Sequence, residues 1–186
     1  ATISNCTVEA PVTSKHAYLG GIAGRMHSGH ISNCLVTSDA RIEGHINNGT
    51  NYEYYGTGGI VGVVESKAGS GTKVVIEKSA CYTNVSSNIY AGGIIGNLIT
   101  YNTTISAEIN NCLFVGAISS LYKNSYSYGL SGGIFGCCHQ SNSKGGNAKI
   151  TDCVSLISSI TFSSAATNAG YGGLSGYIKN AEFLRC

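Results

Sequence analysis

The chain has 186 residues, of which 42% are hydrophobic and only 11% charged, with a formal net charge of +2. An average globular protein carries roughly 25% charge; here Gly, Ser, Thr and Asn take the polar positions and Ile, Val and Tyr the apolar ones, which excludes a charge-rich disordered chain. No basic cluster points to nucleic acid or an anionic membrane, and no apolar stretch approaches the ~18–20 residues of a membrane span.

Two motifs alternate along the chain. An apolar residue, any residue, Asn or Asp and then Cys comes first, at Ile3-Ser4-Asn5-Cys6. The pentapeptide Gly-Gly-Ile-x-Gly follows from Gly20. The first motif returns at Ile31–Cys34, Ile109–Cys112 and Ile150–Cys153, with degraded copies at Lys78-Ser79-Ala80-Cys81 and Phe183-Leu184-Arg185-Cys186. The glycine motif returns from Gly58, Gly92, Gly132 and, with Leu as its central residue, Gly172. A period near 38 residues, about a fifth of the chain, signals a repeat architecture in which each unit buries its apolar face against its neighbours. The repeat runs uninterrupted, so residues 1–186 are read as one domain. With no initiator Met and no signal peptide in view, that domain is expected to be a segment of a longer or processed chain.

Short Ile, Val and Tyr runs broken by Gly, Asn and Ser read as strands, and no window carries a helical stripe. In Ile31-Ser32-Asn33-Cys34, Ile31 and Cys34 lie three apart, so one straight strand cannot turn both inward. A bend at Asn33 in the left-handed region solves this, as do bends at Asn5, Asn111 and Asp152. A corner once per repeat describes a coiled sheet. Each glycine pentapeptide is read as a strand of that coil, with Ile22, Ile60, Ile94, Ile134 and Leu174 stacked as an aliphatic ladder. The expected fold is all-β: a single-domain parallel β-helix, or β-solenoid, of about five coils and almost no helix. At ~4.8 Å per rung the rod would be roughly 25 Å long.

The two alternating motifs resemble the GLUG-type repeat over nearly the whole chain. That resemblance implies a β-solenoid, right-handed and parallel, of the kind found in secreted and cell-surface proteins, many of them adhesin-like. It brings no catalytic residues. The chain departs from it in its long inserts, 44–55 and 68–72, and in the weakened third and sixth Asn-Cys copies.

Six of the eight cysteines, Cys6, Cys34, Cys81, Cys112, Cys153 and Cys186, are assigned to one repeat position. They read as small buried hydrophobes beneath each corner. Disulfides between neighbouring rungs are the alternative, since in-register Cα atoms sit within bridging range and an oxidising compartment would favour them. A linear ladder does not gather a zinc tetrahedron. Cys137 and Cys138 fall outside the ladder and are candidates for a crosslink. Their neighbour His139 gives no catalytic geometry by adjacency alone.

A tyrosine lies within four residues before each glycine pair: Tyr18, Tyr55, Tyr90, Tyr128 and Tyr171. They read as a structural stack along one edge, or as an aromatic strip for glycans or a partner surface. His27 and His30 form a weak His-x-x-His pair on an expected turn. Asn5, Asn48, Asn84 and Asn102 open N-glycosylation sequons. Carboxylates are sparse and scattered, and Glu43 with Glu53 is the one pair fit to be named as an acid/base couple.

The expectation is therefore a non-enzymatic structural or adhesive module without cofactor or metal, secreted or at the cell surface. Its partners would be the rest of a longer chain, further copies stacked head to tail into a filament, glycans, or a host or cell-surface protein. The alternative is a carbohydrate-binding, or less readily carbohydrate-cleaving, β-helix using the tyrosines or the 44–55 insert.

Overall fold

The structure is a computed structural model that describes residues 1–15, 18–45, 55–65, 73–100, 106–121, 129–140, 147–162, 169–179 and 181–186. Among them are 24 strands, β1 to β24 in chain order, and no helix. The strands form four sheets in which every pairing is parallel.

The first sheet is β1 (Thr2–Ser4), β6 (Gly29–Ser32), β11 (Lys73–Glu77), β16 (Ser106–Asn110), β20 (Asn147–Thr151) and β24 (Ala181–Leu184), side by side in that order. The second holds two sets of short strands: β2 (Thr7–Val8), β7 (Leu35–Val36) and β12 (Ala80–Cys81); then β3 (Val12–Ser14), β8 (Ile42–Gly44) and β13 (Val85–Ser87). The long strand β17 (Leu113–Ser120) joins both sets and pairs on its far side with β21 (Val154–Phe162). The third sheet is β4 (Tyr18–Gly20), β9 (Gly56–Gly58), β14 (Tyr90–Gly92), β18 (Leu130–Gly132) and β22 (Gly170–Gly172). The fourth is β5 (Ala23–Met26), β10 (Val61–Glu65), β15 (Ile95–Thr100), β19 (Phe135–Gln140) and β23 (Ser175–Ile178). In each repeat the chain visits the four sheets in the same order, so like residues lie beside like.

The first-sheet register stacks Ile3, Ile31, Ile76, Ile109, Ile150 and Phe183 in one column. The four inner isoleucines are fully buried, while Ile3 and Phe183 at the two ends are partly covered. Burying an Ile side chain stabilises by about 1.5–3 kcal/mol, so this column is a main element of the core. After it the chain turns. Asn5, Asn33, Lys78, Asn111, Asp152 and Arg185 have φ of 55°, 52°, 49°, 51°, 53° and 52°. Four of the six are Asn or Asp, the non-glycine residues that enter this region most readily. The backbone ladder continues through the turn, because the Asn33 N–H donates to the Glu77 carbonyl and the Asn111 N–H to that of Thr151.

The glycine pentapeptide is a second corner and not a strand, which corrects the sequence-based expectation. Its first glycine ends a third-sheet strand, its second glycine and central Ile or Leu make the bend, and its fourth residue opens a fourth-sheet strand. Ile22, Ile60, Ile94, Ile134 and Leu174 still form a column, each N–H donating to the next carbonyl at 2.8–3.2 Å. Steric need explains the glycines. A Cβ on Gly59 would strike the Gly93 carbonyl and the Cys81 sulfur; on Gly93, the Gly133 carbonyl and the Phe114 ring. Gly21 and Gly133 face Val36 and Ser155 in the same way. The second glycine thus admits the side chain that the second sheet sends across the core. The last glycine of the motif (Gly62, Gly96, Gly136 and Gly176) presses on the backbone of a third-sheet strand. A smaller apolar cluster, Ile89, Tyr90, Leu130 and Cys137 with Tyr55 against it, is separate from the main core.

Candidate functional site

At five of the six left-handed corners the next residue is a cysteine that points back along its own strand. The thiols of Cys6, Cys34, Cys112, Cys153 and Cys186 lie 3.3–3.4 Å from the carbonyl two residues earlier. That weak S–H donation suits a small buried group closing a turn. Cys34, Cys112 and Cys153 are buried, Cys6 and Cys186 exposed, and all eight cysteines of the chain are free thiols in this structure. The neighbouring Cys153 thiol, followed by burial, holds the Cys112 thiol well above its ordinary pKa.

Cys81 does not belong to this ladder. Lys78, not Ala80, takes the left-handed φ, so Ser79 occupies the corner position. The Ser79 hydroxyl donates to the Glu77 carbonyl at 2.9 Å and accepts from the Cys34 N–H at 3.1 Å. Cys81 lies two residues on, in register with Val36 and Phe114, and fills the core opposite Gly59. Burial pushes its thiol up to about 12, against a lowering hydrogen bond with the Thr83 backbone.

The crosslink expected of Cys137 or Cys138 has no partner at hand. They point to opposite faces of β19, Cys137 into the smaller cluster and Cys138 into the main core. Their rung neighbours are Asn97 and Tyr177, and Leu98 and Ile178. Burial raises both thiols, Cys138 to about 11.

The tyrosines do not make one strip. Tyr18 and Tyr90 share a column, but with Gly56 between them. Tyr55 precedes that column by one residue and meets Tyr18 edge-on at 6.1 Å. Tyr171 follows it by one, pairing with Ser131, and stacks on Phe162 at 4.6 Å. Tyr90 is buried. Because the offset from each glycine pair varies, and a shift of one residue reverses the face, the ladder cannot align them. Tyr128 lies outside the described residues.

His27 and His30 part company too. The His27 Nδ1 lies 2.8 Å from the Glu65 carbonyl, and His30, on β6 and not on a turn, reaches Glu77 Oε1 at 3.1 Å. Glu43 pairs with Arg41, while Glu53 falls outside the described residues. So do Asn48, Asn102 and most of the 44–55 insert. Asn5 is exposed at its corner, and the exposed Asn84 accepts the Ala117 N–H on its Oδ1 at 2.8 Å. Three further ion pairs are local: Arg25 with Glu65 and over the Tyr18 ring, Lys73 with Glu108, and Asp152 with Arg185. Among the described residues no three His, Cys, Asp or Glu side chains converge on a metal position.

One concave feature was invisible in the sequence. Where the short second-sheet strands break at 37–41 and 82–84, the outer face creases into a groove of about 660 Å³. Arg41, Glu43, Tyr82, Asn84, Ser86 and Ser119 are among the residues that line it. Comparison of the chain with protein-family models, with curated proteins and with solved structures yields no match.

Proposed function

We propose that the four parallel sheets close into a right-handed β-helix of the GLUG type and that the chain is a non-enzymatic structural or adhesive module, secreted or at the cell surface. The observation that carries this reading is the identity of column position from rung to rung: Ile3 to Phe183, the left-handed corners, and the glycine bends. A surface built from one repeated rung suits a scaffold, because every rung offers the next the same edge. The pairing of Glu43, Glu65, Glu77, Glu108 and Asp152 with neighbouring side chains supports a structural role for them. The extracellular placement rests on the resemblance alone.

The end rungs carry the same positions as the inner ones, and a further rung would find its usual neighbours there. We propose that such a rung comes from the rest of a longer chain or from a second copy stacked head to tail. Parallel strand addition of this kind does not close on itself. Sedimentation and electron microscopy of the 186-residue chain test it, with Gly173→Ala as the informative variant. Nothing lies within 4 Å of a Cβ at Gly173, but an added rung would bring a carbonyl there, as Gly133 brings one to Gly93. Concentration-dependent rods that Gly173→Ala abolishes support self-stacking. A monomer at every concentration sinks self-stacking and leaves the longer chain. A solved structure with a left-handed coil, or with sheets that do not close, sinks the β-helix.

A further inference from the structure

The groove on the outer face of the second sheet is built in register. Glu43, Ser86, Ser119 and Thr161 stand beside one another on β8, β13, β17 and β21, one per rung. All four line the groove. Three rung spacings make a row about 14 Å long. Tyr82 and Leu121, 43% and 40% exposed, supply apolar surface beside this row of polar groups. Asn84 lines it as well, and with its Oδ1 held by the Ala117 N–H its amide NH₂ is the group left to donate.

We propose that this groove binds an extended, uncharged oligosaccharide lying along the stacking direction, across the strands. Arg41 and Glu43 pair with each other, so their charges cancel and the groove offers no net field to a polyanion or polycation. A row of hydroxyls and an amide at regular spacing beside exposed aromatic surface matches a chain of sugar rings, whose rims carry hydroxyls and whose faces are apolar. An extended peptide fits less well. It gains most of its affinity from an unpaired sheet edge, whereas β13 is paired on both sides, with β8 and with β17. The site uses neither the dispersed tyrosines nor the 44–55 loop, and it does not depend on self-stacking.

Asn84 opens a sequon, so the test uses protein made without N-glycans. The ¹⁵N-labelled chain is titrated with cellotetraose, mannotetraose and xylotetraose, with tetragalacturonate as the charged comparison. At least one neutral tetrasaccharide is expected to shift the amides of 82–86 and 117–121 selectively and saturably. Tyr82→Ala should weaken binding about tenfold, Tyr82→Phe should retain it, and Ser119→Leu should abolish it, each with an otherwise unchanged amide spectrum. If Tyr82→Ala unfolds the chain, Ser119→Leu on an exposed face carries the test alone. Silence with all three neutral sugars at millimolar concentration overturns the proposal. So do shifts confined to other surfaces, or a preference for the galacturonate.

Discussion

Two glycines at the same motif position should respond oppositely to alanine. At Gly93 the new methyl would sit over 1 Å closer to the Gly133 carbonyl and the Phe114 ring than the 3.4 Å at which ordinary contact begins. The rungs would have to part by about that much. The bonds at risk are Gly93 N–H to Gly132 at 3.1 Å and Ile94 N–H to Ile134 at 3.2 Å, which would pass beyond hydrogen-bonding distance. Two buried backbone groups left poorly paired cost about 1–3 kcal/mol each, so about 4 kcal/mol is expected. For a chain of this size that lowers Tm by roughly 8–16 °C. At Gly173 a Cβ meets nothing, and its φ lies outside the left-handed region, so the loss of unfolded-state freedom should stabilise by about 0.4–1 kcal/mol. Thermal unfolding followed by circular dichroism on the monomer reads both. Equal shifts for the two variants would refute close rung packing as the reason for the motif.

Lys78→Asn should stabilise by about 0.5–1 kcal/mol, seen as a higher urea midpoint, because Lys78 holds the left-handed φ that Asn tolerates better; a lower midpoint would contradict it. Folding should weaken as pH rises from 9, where an unfolded thiol ionises, toward the raised values of Cys138 and Cys81, about 11 and 12. Below 9 both states hold the proton and nothing is lost. At pH 10 Cys81, Cys137 and Cys138 together should remove about 4 kcal/mol, and Cys81→Val should remove about a third of that slope; a stability flat from pH 8 to 10 would count against it. Native-state alkylation at pH 8 should label Cys6 and Cys186 quickly and the six buried thiols only on unfolding, read by mass spectrometry. Rapid labelling of Cys81 would show that its place in the core is wrong.

The corners at Asn5, Asn33, Asn111 and Asp152 were legible because parity forbids a straight strand there and Asn or Asp is the residue that bends cheaply. The third corner hid because Lys78 carries no such signal, and Cys81 drew the eye two residues downstream. Placing Ile76 opposite Ile31 and Ile109 would have found Ser79. The glycine motif announced its period but not its shape: only the opposing Val36, Cys81, Phe114 and Ser155 reveal why each Cβ is forbidden, and they lie far along the chain. The tyrosines misled because nearness to a motif is not register. The groove left no local trace, since its lining comes from four repeats and from a break in strands that reads as ordinary turn.

That break has an engineering consequence. Between its two short strands the second sheet holds three residues at 9–11, five at 37–41 and three at 82–84, yet Val12, Ile42 and Val85 remain side by side. Segment length there is decoupled from register, so the wall behaves as a socket that takes cargo of different sizes without disturbing the rungs above and below. Foreign peptides grafted at the exposed Ser38-Asp39 tip, with the buried Ala40 kept, would be displayed on a fixed lattice, at a pitch set by the backbone and not by the guest.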